Sequence, residues 1–190
     1  MGRQTHIGYH NCRDDGGYEY LRQNVPFLSG NGENQWLTQG YYFWTDSPYW
    51  AEKWNSRHQT AISKFTISFH DDDELLDLVG NSRQIHEFGK MRQKVADKLK
   101  IRDISKVTVN QIIDYFRKIE RMQAGFFPYL AVKAQDSTRD DAFSVIKFIK
   151  ALHRRETLAC HTRQQLCVFS HARDRITLNG FLSPETYRDQ

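Results

Sequence analysis

The sequence predicts an α+β fold in which strands near both ends of the chain enclose a helical middle. Short runs rich in β-branched and aromatic residues, several of them alternating in polarity, lie towards the two termini. Between them, apolar residues recur at helical spacing. Strands and helices that are segregated along a chain are typical of the α+β class. A chain of 190 residues is expected to form one domain, 1–190, in which 83–123 is a basic helical insertion.

The first part of the chain is predicted to hold three strands and two short helices. The predicted strands are residues 6–11, 40–44 and 60–69. One helix is predicted at 18–25. The other is predicted to follow Asp46-Ser47-Pro48, because a polar cap and then a proline are typical of a helix start. Residues 28–35, rich in Gly, Asn and Ser, are interpreted as a flexible surface loop.

Three helices and two strands are predicted in the remainder. Two helices fill the basic segment: Phe88, Val95 and Leu99 mark the core face of the first, and Ile112, Phe116 and Ile119 that of the second. Thr108 and Gln111 have the spacing of a capping box for the second helix. A third helix is predicted over 141–153 from the spacing of its apolar residues, and strands over 164–170 and 176–182.

Composition excludes several classes of protein. No apolar run is long enough for a membrane helix and the N-terminus lacks an apolar signal core, so we expect a cytoplasmic protein with no membrane partner. Three cysteines with no CxxC indicate reduced thiols, and we expect Cys167 to be a packed, inert side chain. The eight histidines show no spacing typical of a metal site, and we expect no metal.

The segment GYYFWTDSPYWAEKW, residues 40–54, is the most distinctive part of the sequence. It holds seven aromatic residues and no aliphatic side chain larger than alanine. Most of these rings are expected to serve packing, because aromatic residues are usually buried. The alternative for some of them is that they grip a flat ligand by stacking.

Three separated motifs resemble those of one enzyme superfamily. They are YHNC (9–12), WLTQGYYFWTDSPYWAEKW (36–54) and RQQLCV (163–168). In this order they resemble the motifs of ADP-ribosyltransferases of the diphtheria-toxin and poly(ADP-ribose) polymerase type, and more closely those of small bacterial proteins of that superfamily. The resemblance implies a split β-sheet core and NAD as the co-substrate.

The resemblance also implies roles for particular residues. The family's histidine, which hydrogen-bonds the adenosine ribose of NAD, matches His10. The tyrosine that stacks on nicotinamide matches Tyr42, and a second aromatic that closes the sandwich matches Trp54. The third catalytic position, usually Glu, matches Gln165. Asn11 stands where the family commonly has glycine, and its main-chain groups are expected to contact the nicotinamide amide.

Physical chemistry agrees with these roles. The nicotinamide of NAD is a flat cation, which electron-rich rings bind by dispersion and cation–π attraction. Cleavage of its bond to ribose creates an oxocarbenium-like cation, which a side chain on the ribose hydroxyls can orient and stabilise. His10, Tyr42 and Gln165 are therefore the candidate catalytic residues, and His10, Asn11, Tyr42 and Trp54 the candidate NAD-binding residues.

The expected function is NAD-dependent mono-ADP-ribosyl transfer to a macromolecule with release of nicotinamide. The resemblance suggests a toxin of a toxin-antitoxin or phage-defence system, with an antitoxin protein as a partner. Three alternatives stay open: a non-catalytic NAD or ADP-ribose binding module, a single-stranded nucleic-acid binder whose rings stack on bases, and an RNA 2′-phosphotransferase. The last requires a cluster of His and Arg that we do not find in the sequence.

The basic segment suggests the acceptor. Residues 83–123 contain 11 Lys or Arg against 5 Asp or Glu, a net charge of +6 in a chain whose total is +4. On a helix, Lys90, Lys94 and Lys98 fall at i, i+4 and i+8 and form one ridge. We expect this ridge to follow the phosphates of a nucleic-acid acceptor, RNA in preference to protein. The alternative is an ordinary solvated helix face.

Overall fold

The computed structural model describes residues 4–54, 58–70, 73–136, 145–150, 157–159, 162–188 and 190. The strands in these segments are β1 (Gln4–Arg13), β2 (Tyr41–Thr45), β3 (Thr60–Phe69), β4 (Leu75–Asp77), β5 (Ala131–Gln135), β6 (Val145–Lys147), β7 (Thr157–Ala159), β8 (Gln164–Val168) and β9 (Ile176–Ser183). The helices are α1 (Gly17–Asn24), α2 (Tyr49–Lys53), α3 (Ser82–Lys98) and α4 (Val109–Met122).

Seven of these strands form one mixed sheet in the order β4-β5-β8-β2-β1-β3-β9. Only the pair β4–β5 is parallel among the described pairs of this sheet. β6 and β7 form a separate antiparallel pair. The predicted α+β class is confirmed.

The pairing of β1 is strongly unequal on its two sides. It pairs with β3 over ten residues, but with β2 at only two positions, Gly8↔Thr45 and Tyr9↔Trp44. β2 in turn pairs with β8 at four positions. A Cβ on Gly8 would lie 2.8 Å from Cβ of Phe43, so the absence of a side chain lets the strands approach here. Beyond Tyr9, β1 and β2 diverge and leave a gap in the sheet.

The two faces of the sheet pack against different layers. One face carries the aromatic core around Phe43, Phe65 and Phe69, which α1 helps to cover through Leu21. The other face, at the β4-β5-β8 end, is covered by α3 and α4. Buried Phe43 and Trp44 lie on opposite faces of β2, which agrees with the packing role expected of most aromatic residues in this segment.

The two helices predicted in the basic segment are α3 and α4, and α4 begins where the sequence predicts. Thr108 and Gln111 form the predicted capping box at the start of α4. The side chain of Gln84, almost fully buried, joins α3 to the edge of the sheet: it accepts from the backbone N–H of Asp77 and donates to the carbonyl of Leu75. The prediction that Leu99 lies on the core face is wrong. α3 ends at Lys98, and the side chain of Leu99 is 50% exposed.

The predicted helix over 141–153 is wrong where the structure describes it. Val145–Lys147 is a strand, paired with Thr157–Ala159. The pairing with β7 satisfies backbone groups that the helix would have satisfied internally, and tertiary pairing of this kind overrides a helical pattern in the sequence. Ile146 and Ile149, two of the apolar residues whose spacing indicated this helix, are 59% and 53% exposed. Residues 141–144 and 151–153 lie outside the described residues.

The remaining elements differ from the predictions mainly at their ends. β1 is longer than the predicted strand 6–11. β3 has the same two ends as the strand predicted over 60–69. The helix after Asp46-Ser47-Pro48 is α2, which ends before Trp54. None of the helices in the described segments combines the length and apolar character needed to cross a membrane.

Candidate functional site

The gap between β1 and β2 opens into a cleft of about 240 Å³. All five residues expected to bind NAD or act on it line this cleft: His10, Asn11, Tyr42, Trp54 and Gln165. The other lining residues come from the segment before β2: Ser29, Asn34, Gln35 and Trp36. We call this cavity the candidate cleft.

Strand order explains how distant segments meet at the candidate cleft. β2 lies between β1 and β8, so residues from three separate parts of the chain become neighbours. Gln165 pairs with Trp44, and Tyr42 pairs with Cys167, which places Tyr42 and Gln165 on the same face of adjacent strands. Asn11 reaches the same space from β1, where the ladder to β2 has ended.

The His10 ring bridges the gap between the diverging strands. Its Nδ1 lies 3.0 Å from the carbonyl oxygen of Tyr42, and its Nε2 lies 3.3 Å from the backbone nitrogen of Phe27. Because a backbone N–H can only donate, Nε2 accepts and Nδ1 carries the proton. Burial lowers the pKa of His10, and the hydrogen bond to Tyr42 opposes this in part. Both ring nitrogens therefore have partners within the protein.

The Tyr42 hydroxyl anchors the segment that walls the candidate cleft. It accepts from the backbone N–H of Leu37 at 2.9 Å and donates to the carbonyl of Thr38 at 2.7 Å. Burial, then the neighbouring Cys167, raises the pKa of Tyr42 above its ordinary value, so the phenol stays neutral. The ring of Tyr42 is thus fixed in place by its own hydroxyl. Cys167 is fully buried, as predicted, and burial raises the pKa of its thiol to about 12.

The amide of Gln165 is not engaged, and Oε1 of Gln35 in the same cleft also lacks a hydrogen-bond partner among the described residues. The side chain of Gln165 is only 8% exposed, yet it lines the candidate cleft. Within the part of the chain that the structure describes, the amide of Gln165 makes no hydrogen bond to another residue. A buried polar group without a partner is costly unless water or a ligand satisfies it. Gln165, like Gln35, therefore has a polar group available to a ligand in the cleft.

Asn11 connects β1 to α2. Its Nδ2 donates to the carbonyl of Ala51 at 2.8 Å and approaches Oγ1 of Thr60 at 3.4 Å. Its Oδ1 is buried without a hydrogen-bond partner among the described residues. The side chain of Asn11 therefore holds the helix that precedes Trp54, while its backbone borders the gap.

Two tryptophans form the aromatic rim of the candidate cleft. Trp54 follows α2, is 51% exposed and lies 5.7 Å from the buried Trp44 ring, centroid to centroid. Trp36 enters from the opposite wall. The guanidinium of Arg163, ion-paired with Asp136, lies over the Trp36 ring at 5.1 Å and holds it from outside.

Residues 28–35 form a loop without helix or strand, as the sequence predicted, and the chain from Gln35 to Gln39 is a well-anchored wall. Asn110 of α4 donates to the carbonyl of Gln35 at 2.5 Å. Arg117 of α4 donates to Oγ1 of Thr38 at 2.5 Å and to the carbonyl of Gln39 at 3.1 Å. These bonds, with those of Tyr42, stabilise Thr38 at a φ of +69°, a conformation that threonine rarely adopts.

Trp36, Gln35 and Asn34 are site residues that the sequence analysis missed. Trp36 opens one of the three motifs, but no role was assigned to it. The signal was a tryptophan directly after a polar, glycine-rich segment: loops that carry a large exposed ring are often functional.

Charge is absent from the lining of the candidate cleft. Its nine residues are four neutral amides, three aromatic rings, a serine and His10, whose lowered pKa favours the neutral form. Among the described residues, no group of three or more His, Cys, Asp or Glu could hold a metal ion. The cleft therefore suits a flat, polar ligand, and in particular a ring with positive charge.

The basic ridge of Lys90, Lys94 and Lys98 lies elsewhere. All three side chains are exposed on α3, and none lines the candidate cleft. α3 packs at the β4 edge, and β5 and β8 separate β4 from β2. At about 4.8 Å per strand, β4 lies roughly 10 Å from β8, which carries Gln165 of the cleft, and roughly 14 Å from β2.

We compared the chain with protein-family models, with curated proteins and with solved structures, and found no match in any of the three. The function of the candidate cleft therefore has to be argued from its own geometry and from the motifs that line it.

Proposed function

We propose that this protein is an NAD-dependent mono-ADP-ribosyltransferase that releases nicotinamide and transfers ADP-ribose to a macromolecule. One observation carries the proposal: the residues assigned from three separate motifs all line one cleft. His10, Tyr42 and Gln165 lie 32 and 123 positions apart along the chain. Motifs that matched by chance would have no reason to converge on one cavity.

The candidate cleft fits the nicotinamide end of NAD. Nicotinamide in NAD is a planar cation with an amide, and the cleft offers aromatic faces and neutral amides. Its volume, about 240 Å³, is below the roughly 300–1,000 Å³ typical of sites that enclose a whole drug-sized ligand. We therefore place the nicotinamide and its ribose in the cleft, the adenosine ribose at its border beside His10, and the adenine outside it.

Gln165 supplies the polar contact to the ribose. Its unengaged amide oxygen accepts a hydrogen bond from a ribose hydroxyl and so orients the sugar. The bond between the ribose C1′ and the nicotinamide nitrogen then breaks, and its electron pair neutralises the ring. The acceptor attacks C1′ and loses its proton to solvent. Because Gln165 is neutral, it stabilises the developing ribosyl cation less than a carboxylate would.

His10 has two roles in this proposal: it positions the strands, and it contacts NAD. Its bonds to Phe27 and Tyr42 fix the spacing across the gap between β1 and β2. A contact between His10 and the adenosine ribose, as the resemblance implies, requires the ligand hydroxyl to replace Phe27 at Nε2, the longer of the two bonds.

The acceptor in this proposal is nucleic acid, with RNA preferred, and the biological setting is a toxin-antitoxin or phage-defence system. The support for RNA is the exposed ridge of Lys90, Lys94 and Lys98 on α3. An extended polymer can contact this ridge and still place one nucleotide at the cleft, whereas a small acceptor cannot span that separation. The cytoplasmic location and the antitoxin partner depend on the same setting.

The deciding experiment uses NAD labelled once in nicotinamide and once in adenosine. Incubated with the purified chain and a cell extract, the first label is expected to appear as free nicotinamide and the second in the RNA fraction. The Gln165→Ala variant is the matched control, and with it neither free nicotinamide nor labelled RNA should appear. If the wild-type protein also releases no nicotinamide and the NAD is recovered intact, the proposed reaction is contradicted.

One observation favours a second candidate, a non-catalytic NAD or ADP-ribose binding module. The cleft has no carboxylate to stabilise a ribosyl cation. Saturable NAD binding without nicotinamide release, unchanged when extract is added, would identify this function instead.

A further inference from the structure

A second cavity lies at the other end of β8. Its volume is about 460 Å³, and it shares no lining residue with the candidate cleft. It is bounded by Arg117, Glu120 and Arg121 of α4, by residues 127–130, and by the turn that begins at Ser170 and His171. Phe169, on its floor, follows Gln165 by four residues, which is about 13 Å along a strand. We call it the arginine cavity.

Arg117 is held in a defined orientation in this cavity. Its guanidinium carbon lies 3.9 Å from the centroid of the Phe169 ring, and Phe169 itself is fully buried. Nη1 donates to Thr38 and Gln39. A guanidinium has five N–H donors, so those on Nε and Nη2 are left for other partners. Burial is the main cause that lowers the pKa of Arg117, but its ordinary value is so high that it stays charged.

Arg121 adds a second guanidinium one helical turn later. Residues at i and i+4 share a helix face, so both arginines can reach one anion. Within the described segments, no carboxylate forms an ion pair with Arg117 or Arg121. Glu120 is the acidic residue that lines the cavity, and its two oxygens accept the backbone N–H groups of Gly125 and Phe127.

The walls supply polar and flat surfaces next to these charges. Tyr129 and Ser170 offer hydroxyl donors, and Phe127, Tyr129 and Phe169 form an aromatic floor. The ring of His171 stacks on Phe169 at 6.1 Å. Burial and then the charge of Arg117 lower the pKa of His171, which supports a positive potential in the cavity.

We propose that the arginine cavity binds the phosphate group of a nucleotide, with Arg117 and Arg121 on the phosphate and the base beside the partly exposed ring of Tyr129. Arginines prefer phosphate because the planar fork of N–H groups matches its oxygens. An alternative reason for the two arginines is that they lie near the C-terminal end of α4, where the helix dipole stabilises positive charge. The dipole does not explain why Arg117 is stacked on Phe169 with donors to spare.

Arg117 also joins this cavity to the candidate cleft. The same guanidinium that faces the arginine cavity holds Thr38 and Gln39, which belong to the wall segment of the cleft. A phosphate on its remaining donors immobilises the guanidinium and thereby stabilises the wall. Binding at one end of β8 should therefore slow the opening of the segment at the other end. This proposal does not depend on the chemistry proposed for the cleft.

The test measures the binding of three ligands to the full chain by calorimetry. The ligands are uridine monophosphate (UMP), uridine and an oligouridylate of eight nucleotides. UMP is expected to bind saturably and at least tenfold more tightly than uridine. Arg121→Gln should weaken UMP binding tenfold or more. Lys118→Gln, which removes the same charge from the same helix but from a side chain paired with Asp114, should change it less than twofold. Equal binding of UMP and uridine, or equal losses in the two variants, would overturn the proposal.

Two further readouts distinguish the source of the phosphate and the link to the wall. Oligouridylate that binds more than tenfold tighter than UMP identifies an RNA chain as the ligand, and equal affinity identifies a free nucleotide. Saturating UMP should slow hydrogen exchange at the Leu37 amide, which bonds to Tyr42, and should raise the pKa of His171. Unchanged exchange at Leu37 in the UMP complex would contradict the link through Arg117.

Discussion

The candidate cleft and the arginine cavity lie at opposite ends of one strand and have opposite electrostatic character. The cleft is lined by neutral amides and aromatic rings, and the arginine cavity by two guanidinium groups over an aromatic floor. Between them runs the wall segment before β2, bonded to Tyr42 on one side and to Arg117 on the other.

This difference indicates how the molecule separates its ligands. A cationic ring is not repelled in the neutral cleft, and aromatic faces attract it. Phosphate groups find charge compensation only outside the cleft, at arginines or lysines of α3 and α4. Changes in the cleft should therefore alter the handling of NAD, and changes on the helices should alter the handling of anions.

Gln165→Ala is expected to have the largest effect. If Gln165 orients the ribose, its loss should lower nicotinamide release by a hundredfold or more, about 2.7 kcal/mol in the transition state, and leave NAD affinity within about threefold. Gln164→Ala, one position away on the opposite face of β8, is the matched control and should be nearly neutral. An active Gln165→Ala protein would move the chemistry elsewhere.

Gln165→Glu sharpens the same test. A carboxylate at this position should retain or raise bond cleavage, because it stabilises the ribosyl cation. The neutral, buried surroundings would raise the pKa of that carboxyl group, so the gain should increase with pH. Nicotinamide release from both proteins between pH 5 and 9 measures this, and a loss at every pH would contradict it.

Tyr42→Ala and His10→Ala should each lower turnover tenfold or more, about 1.4 kcal/mol. Tyr42→Phe separates the two roles of this residue: the ring remains, but the Leu37 N–H loses its partner. An unpaired buried donor costs about 1–3 kcal/mol, so the variant should be less stable to urea while keeping most of its NAD affinity. Wild-type activity in folded Tyr42→Ala and His10→Ala proteins would refute the site assignment.

Trp54→Ala should mainly weaken NAD binding, by roughly 2- to 30-fold, because a stacked face contributes about 0.5–2 kcal/mol to ground and transition states alike. Trp54→Phe should be milder. Tyr20→Ala removes another half-exposed ring that does not line the cleft and serves as the control. NAD binding and turnover at saturation should be measured separately. A fall in turnover with unchanged binding would mean that Trp54 acts on the chemistry.

Acid should weaken the cleft before the rest of the molecule. The lowered pKa of His10 means that below about pH 6.5 the unfolded chain takes up a proton that the folded chain does not, so stability falls as pH falls. Protonation of His10 also removes the acceptor for the Phe27 N–H. His6 and His171 contribute with the same sign. His10→Gln should therefore show a smaller loss of stability between pH 6.5 and 5, measured by urea unfolding, than the wild type.

The smallest effect on the cleft is expected from changing Lys90, Lys94 and Lys98 together to Glu. NAD binding should stay within twofold, because the ridge is remote from the cleft. RNA binding should weaken, with the salt dependence reduced by about 0.7 in the log–log slope for each lost phosphate contact. If the triple variant modifies RNA as well as the wild type does, the ridge is not the acceptor surface.

The sequence was informative where side chains and strands follow simple rules. β1, β2, β3, β8 and β9, which build the sheet around the candidate cleft, were all predicted from runs of β-branched and aromatic residues. The capping box at Thr108 identified the start of α4. His10, Tyr42 and Gln165 were predicted as site residues from motifs, and the strand order brings them to one cavity.

The wall segment could not be predicted, because distant partners determine its conformation. Gly, Asn and Ser between 28 and 35 indicate a loop, and nothing local shows that Asn110 and Arg117 will bind it. The helix prediction at Val145–Lys147 was wrong because this segment pairs with a strand that begins ten residues after it. At Val145–Lys147 strand pairing outweighed the local pattern, whereas over 28–35 the loop pattern was right but did not reveal the contacts that anchor the wall.

The edges of the main sheet have a consequence for association between molecules. Long, flat edge strands recruit further strands, and proteins avoid this with short or irregular edges. β4 has only three residues, and the ladder between β3 and β9 contains two register shifts, with Gly180 at a φ of +137°. Neither edge is a regular template for an added strand. Short and irregular edges of this kind disfavour edge-to-edge aggregation.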